Sequence, residues 1–66
     1  MSILIFDIPR EEKTLSVRIF RALRKKAELI QFSVWKSDDL DFLMKTALEI
    51  KRNGGSARIL EERFIF

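Results

Sequence analysis

The chain has 66 residues, of which 47% are hydrophobic and 35% charged, and it contains neither cysteine nor histidine. This length accommodates one domain, residues 1–66, and the hydrophobic share excludes a disordered segment. A sequence without these two residue types cannot form a disulfide scaffold, a thiolate zinc site or a histidine-based triad. Any chemistry must therefore use carboxylates, hydroxyls, lysines or arginines.

The small size of the chain predicts self-association. A domain of about 60 residues buries only about 60% of the surface that its unfolded chain exposes, so stability as a monomer is marginal. The longest apolar run, residues 3–6, is far shorter than a membrane span and lacks the basic start of a signal peptide. We therefore expect a cytoplasmic protein that associates with itself and has no membrane partner.

Positive charge is concentrated in one segment. The net charge is +3, yet residues 10–26 contain seven basic and two acidic side chains, so this segment carries +5 and the rest of the chain −2. A basic surface concentrated on a small domain is typical of a protein that binds a polyanion. The charge pattern therefore predicts DNA or RNA as a partner.

The first half of the sequence predicts a strand followed by a helix. Residues 3–6 are β-branched, leucine or aromatic and end at the turn signal of residues 7–9. Residues 11–27 repeat with helical periodicity, which places four basic residues on the arc opposite the apolar one. The apolar arc contains Leu15, Ile19, Phe20, Ala22, Leu23 and Ala27, and the basic arc contains Arg18, Arg21, Arg24 and Lys25.

The second half predicts strand, helix and strand. Residues 29–36 are strand-like, with a kink near residues 31–33 that would divide them into two short strands. Residues 37–39 offer N-cap chemistry for a second helix, residues 53–55 end it, and residues 56–66 return as a strand bent at residues 61–62. The predicted buried stripe of this helix comprises Leu40, Leu43, Met44, Ala47, Leu48 and Ile50.

The predicted order β-α-β-(β)-α-β is that of the α+β ferredoxin-like plait, one antiparallel sheet with two helices on one face. The first strand alternates apolar residues on both sides, with Ile3 and Ile5 on one and Leu4 and Phe6 on the other. Helices cover only one of these sides. We therefore expect a homodimer, in which a second copy covers the other side.

Asp7 is the residue best placed for metal chemistry, because it stands at the carboxyl end of the first strand, where α/β folds bind ligands. Mg²⁺ or Mn²⁺ favours one or two carboxylates together with water and phosphate oxygens. Two Asp7 side chains related by a dimer axis would provide a better site than one. The alternative is that Asp7 caps the following turn or helix.

The basic arc of the first helix could clamp phosphates, since arginine offers bidentate geometry. Its alternative is a solvated face, but the arc has no interleaved acids to relieve repulsion between like charges. Asp38, Asp39 and Asp41 resemble a metal cluster by composition, although capping and dipole compensation explain them better. Trp35 and Phe42 could stack on bases or belong to the core.

Three stretches of the sequence together resemble the CRISPR-associated Cas-two family. They are Ile5-Phe6-Asp7-Ile8-Pro9, the basic helix around Arg18, Phe20 and Arg21, and Ile30-Gln31-Phe32-Ser33-Val34-Trp35. The stretch Gly55-Ser56-Ala57-Arg58-Ile59-Leu60 is also similar to the final strand motif of that family. The resemblance covers nearly the whole chain.

This resemblance implies a ferredoxin-like homodimer in which Asp7 of each subunit faces the two-fold axis. It implies a role in acquiring foreign DNA beside an integrase, and, for some members, metal-dependent cleavage of RNA or DNA. Asp7 would be the catalytic and metal-binding residue. Gln31, Ser33 and Trp35 would form the strand motif. The charge pattern, independently of the resemblance, predicts phosphate contacts at Arg10, Arg18, Arg21, Arg24 and Lys25. Members usually carry a further C-terminal strand that swaps onto the partner, whereas this sequence ends at Phe66.

Two of these stretches, Phe6-Asp7-Ile8-Pro9 and Ser33-Val34-Trp35, also resemble the C-terminal domain of phenylacetic-acid-type transcriptional repressors, a related plait. That resemblance implies an effector and dimerisation module with no nuclease activity. Two classes of function therefore compete, a nucleic-acid-binding protein of the CRISPR adaptation type and a regulatory interaction module.

Overall fold

The computed structural model of the chain describes residues 1–61. Its elements follow the predicted order. They are β1 (Ser2–Asp7), α1 (Lys13–Lys26), β2 (Glu28–Gln31), β3 (Val34–Ser37), α2 (Leu40–Arg52) and β4 (Ser56–Glu61). Residues 62–66, with the predicted end of the last strand and any bend beyond Glu61, lie outside the described residues. In the part that is described, neither helix combines the length and apolar character that a membrane span requires.

The four strands form one antiparallel sheet in the order β2-β3-β1-β4. The central strand β1 pairs with β3 on one side and with β4 on the other, so that Ile5 stands opposite both Val34 and Arg58. This strand order, with two helices in the connections, is the ferredoxin-like plait. The predicted α+β fold class is confirmed.

Both helices pack on one face of this sheet, because alternate residues of β1 and β3 are apolar and meet the apolar arcs of α1 and α2. Phe20 of α1 lies between the rings of Phe6 and Trp35, with centroids 5.9 and 6.2 Å away. Trp35 is therefore a core residue rather than a base-stacking surface. The buried apolar core contains Leu4, Phe6, Leu15, Ile19, Leu23, Trp35, Leu43, Ala47 and Ile50.

Helix α1 begins two residues later than the periodicity predicted. The backbone N–H of Glu12 donates to the carbonyl of Pro9 at 3.0 Å, so residues 9–12 close a turn before the helix starts at Lys13. The helix buries Leu15, Ile19 and Leu23 as predicted. The turn sets the direction in which the chain leaves β1 and enters the basic helix.

The N-terminus of α2 is capped as the sequence predicted. The carboxylate of Asp39 accepts a hydrogen bond from the backbone N–H of Phe42 at 3.0 Å, which satisfies one of the free donors of the first turn. The hydroxyl of Ser37 accepts from the backbone N–H of Asp39 and donates to the carbonyl of Lys26. The aspartates of this turn are thus explained by capping and by the helix dipole.

The predicted buried stripe of α2 is half wrong. Leu43, Ala47 and Ile50 are buried together with Thr46, whose hydroxyl donates to the carbonyl of Phe42 at 2.8 Å. The three other predicted members are exposed, by 41% at Leu40, 54% at Met44 and 50% at Leu48. The apolar arc of the helix is therefore wider than the part of it that the rest of the domain covers.

Candidate nucleic-acid interface

The outward surface of α1 carries four exposed basic side chains, one in its first turn and three near its C-terminal end. Lys13, Arg21, Arg24 and Lys25 are all exposed, and we call them the α1 basic face. Among residues 1–61, no carboxylate forms an ion pair with any of the four. Arg24 and Lys25 lie in the last turn of the helix, where they also complement its dipole. Lys13 lies at the opposite end, where a cation opposes the dipole and gains nothing from it.

Arg18 differs from the rest of the predicted phosphate-binding set. Its guanidinium forms an ion pair with the carboxylate of Glu49 on α2. The arc contains no interleaved acid, but the charge of Arg18 is relieved by a partner from the other helix, which the periodicity of α1 did not predict. Lys26 also turns toward α2, with its ammonium 5.2 Å from the ring centre of Phe42. The α1 basic face therefore excludes Arg18 and lies farther from α2 than the basic arc that the sequence predicted.

Arg10, the fifth predicted phosphate ligand, lies exposed in the turn that precedes α1. It and Lys13 flank the start of the helix, where the N-cap residue Glu12 makes no side-chain capping hydrogen bond. No acidic residue lies within the first turn of α1. Glu11 and Glu12 lie between Arg10 and Lys13, so these four residues together add no net positive charge at the start of α1.

Asp7 is exposed at the last position of β1, opposite Ser56 of β4. Since side chains alternate along a strand, it lies on the same side of the sheet as Ile3 and Ile5, away from the helices. A shallow depression of about 290 Å³ adjoins it. The lining residues are Ile5, Phe6, Asp7, Ser56, Ala57 and Arg58.

The surroundings of Asp7 decide which ligand it could take. Within the described chain its carboxylate accepts no hydrogen bond, so it does not cap the following turn or helix. No group of three metal-ligating side chains occurs in residues 1–61. Arg58 is a diagonal neighbour on the same sheet face, at a typical spacing of about 7–8 Å. One chain thus provides one carboxylate beside a guanidinium, which does not fit Mg²⁺ unless another chain contributes a second carboxylate.

The side of the sheet that the helices leave uncovered is apolar at its centre. It carries Ile3, Ile5, Val34 and Leu60, and we call it the bare sheet face. Charged groups surround this centre, among them Lys36, whose ammonium lies 3.2 Å from the carboxylate of Glu28. Asp7 stands at one end of the same face. Anything that covers the apolar centre therefore approaches Asp7 as well.

The motif residues Gln31, Ser33 and Trp35 belong to the β2–β3 hairpin. Gln31 pairs with Val34 beside an irregularity in the register, and Trp35 points into the core. The carbonyl of Ser33 accepts a hydrogen bond from the backbone N–H of Phe6 at 3.2 Å, which ties the hairpin to the strand that ends at Asp7. These motif residues therefore act on the strand that ends at Asp7 indirectly, through backbone hydrogen bonds and core packing.

Phe32, between these motif residues, was missed by the sequence reasoning. It is 85% exposed at the tip of the hairpin and has a φ of 41°, which is uncommon for a residue with a side chain. Its neighbours Leu29 and Ile30 are also exposed, on an edge strand. The sequence predicted the kink near residues 31–33, but the exposed position of Phe32 at its tip was not predicted, because the turn contains neither glycine nor proline.

No protein-family model matches the chain, and neither the curated proteins nor the solved structures gave a match. Function must therefore be inferred from the geometry of the α1 basic face, the bare sheet face and Asp7.

Proposed function

We propose that the chain is a cytoplasmic, homodimeric nucleic-acid-binding protein that holds the phosphate backbone through the α1 basic face. The observation that carries this proposal is the alignment of Lys13, Arg21, Arg24 and Lys25 on one exposed helix surface without an acidic partner in residues 1–61. Arg21 lies three and four residues before Arg24 and Lys25, so these three like charges repel one another until a polyanion neutralises them. Phosphate contacts position a protein without reading sequence, so we expect little base preference.

We also propose that a second copy of the chain binds at the bare sheet face. The support is the apolar centre of that face, with Ile5 38% exposed and Leu60 44% exposed, in a domain too small to be very stable alone. The two α1 basic faces would then lie on the outer sides of the dimer, because the helices pack on the opposite side of each sheet. Such a dimer could contact one duplex at two places, or two duplexes.

The binding test compares two double variants with equal changes in charge. Arg21→Ala with Arg24→Ala removes two cations from the α1 basic face, and Lys51→Ala with Arg52→Ala removes two exposed cations from the end of α2. Affinity for a duplex of mixed sequence is measured at several salt concentrations. The slope of log K against log salt is negative, and each lost phosphate contact should make it shallower by about 0.9. The slope of the first variant should therefore be shallower by about 1.8 per engaged protomer.

The control variant distinguishes binding at one specific surface from attraction that depends only on net charge. Its slope should remain close to that of the wild-type protein, because α2 is not part of the proposed interface. Equal losses in both double variants would mean that only net charge matters, and would contradict the proposal. Running the same titration with duplex RNA and duplex DNA determines which nucleic acid the helix surface prefers.

The particular role that we propose, by resemblance, is that of a CRISPR adaptation protein that joins an integrase to foreign DNA. Cleavage by Mg²⁺ or Mn²⁺ is a narrower proposal, because it requires Asp7 of two chains to approach one another at the dimer axis. The position of Asp7 at the end of the bare sheet face supports that arrangement. Co-purification with the integrase encoded beside a CRISPR array would test the role independently of any cleavage.

A regulatory dimerisation module is the second candidate. It is favoured by Arg58, which lines the same depression as Asp7 and would repel a cation. This candidate needs the dimer at the bare sheet face but neither the metal nor the α1 basic face. Loss of duplex binding in the α2 control as well as in the α1 variant, together with an intact dimer, would favour it.

A further inference from the structure

The exposed residues of α2 form an apolar row with a regular spacing. Leu40, Met44 and Leu48 recur every four residues on the flank of the helix that faces away from α1, and we call them the α2 stripe. Single exposed hydrophobic side chains are ordinary, but a continuous row along three turns is typical of an interaction surface. A shallow groove lies beside two members of this row and is lined by Asp41, Met44, Lys45 and Leu48.

We propose that the α2 stripe binds the α2 stripe of a second copy of the chain, with the two helices antiparallel. A two-fold axis beside Met44 would place the two Met44 side chains together. The same axis would place Leu40 of each copy next to Leu48 of the other, because these residues lie four positions before and after Met44. The row is therefore self-complementary, as a two-fold contact between identical surfaces requires.

The charges beside the stripe favour the same arrangement. Asp41 and Lys45 lie together on its outer flank, and in an antiparallel helix pair the equivalent flanks of the two helices face each other. Asp41 would then lie within about one turn of the Lys45 of the other copy, and Lys45 next to its Asp41. In a parallel pair this flank would face the opposite flank of the partner helix, and the pairing between Asp41 and Lys45 would be lost. This complementarity, read from one helix alone, is why we favour a second copy over an unrelated partner.

This contact is separate from the dimer at the bare sheet face, since it uses the opposite side of the domain. Three half-exposed side chains cover much less than the ~800 Å² per partner of a standard interface. We therefore expect association through the α2 stripe to depend on concentration. Two different two-fold contacts on one small chain would link dimers into larger assemblies.

Cross-linking tests the geometry directly, because the natural sequence contains no cysteine. Met44→Cys places one thiol beside the proposed axis, and Val17→Cys places an equally exposed thiol on α1. Under mild oxidation, Met44→Cys should form a disulfide-linked dimer much faster than Val17→Cys. Equal rates in the two variants would overturn the proposal. A thiol of the Met44→Cys variant that resists alkylation without ever cross-linking would also overturn it, because another segment of the same chain would then cover the stripe.

Charge exchange tests the orientation, in a background with Ile5→Lys that isolates this contact from the bare sheet face. Asp41→Lys or Lys45→Asp alone would create two like-charge pairs by symmetry and should weaken association by about tenfold in sedimentation equilibrium. The double variant Asp41→Lys with Lys45→Asp restores opposite charges across the axis and should recover the original dissociation constant. Circular dichroism of each variant serves as the control that its helices are retained. Failure of the double variant to recover would refute the antiparallel pairing.

Discussion

The close approach of Gly55 to the end of β1 allows a quantitative prediction about stability. A Cβ atom at Gly55 would lie 2.5 Å from the carbonyl oxygen of Asp7 and 2.6 Å from Cγ2 of Ile50, whereas ordinary contacts begin near 3.4 Å. The carbonyl is backbone and Ile50 is fully buried, so neither can move aside easily. Gly55→Ala therefore requires a separation of close to 1 Å between the α2–β4 connection and the end of β1.

Overpacking of this kind costs about 1–3 kcal/mol, and the reduced freedom of the unfolded chain offsets about 0.4–1 kcal/mol of it. We expect Gly55→Ala to lower the free energy of unfolding by about 1–2 kcal/mol, which corresponds to a fall of about 5–15 °C in Tm for a domain of this size. Thermal unfolding followed by circular dichroism measures the change.

Gly54→Asn is the matched control for this substitution. Gly54 has a φ of 87°, which asparagine tolerates better than most residues, and a Cβ there would meet only Cγ of Pro9 at 3.9 Å. We expect Gly54→Asn to lower the free energy of unfolding by about 1 kcal/mol or less. A Gly55→Ala variant as stable as the wild-type chain would refute the reasoning, since the strand end would then not be held against the connection.

Two further predictions concern the bare sheet face. Ile5→Lys, at a position already 38% exposed, should leave the monomer folded but reduce the mass in sedimentation from twice 7.8 kDa to 7.8 kDa at low micromolar concentration; an unchanged mass would exclude this face as the dimer interface. Asp7→Asn should abolish any Mg²⁺- or Mn²⁺-dependent cleavage while duplex affinity remains, because the phosphate contacts come from α1. Cleavage that survives either this substitution or an excess of chelator would rule out the paired-carboxylate mechanism.

The fold was predictable from the sequence because its signals are local. The cap at Asp39, the glycine-containing end of α2 and the helical periodicity of α1 depend on neighbours within four residues. The kink that separates β2 from β3 was visible as well, although its tip at Phe32 was not. The antiparallel sheet then followed from the order of the elements.

The surface was less predictable, because it depends on contacts between elements. The ion pair of Arg18 with Glu49 joins residues 31 positions apart in the sequence, so the periodicity of α1 alone cannot show it. The exposure of Met44 has a similar origin. Helical periodicity shows that an apolar arc exists, but the width of the surface beneath the helix decides how much of that arc is buried.

The packing of Trp35 has a practical consequence for all of these experiments. The chain has one tryptophan and no tyrosine, so its fluorescence under selective excitation comes from a single indole. This indole is only 4% exposed, and its N–H finds no acceptor among the described residues. It lies neither on the α1 basic face nor on the bare sheet face nor on the α2 stripe. Its emission should therefore follow unfolding and remain nearly constant on binding, so one native optical signal separates a variant that misfolds from one that has lost a partner.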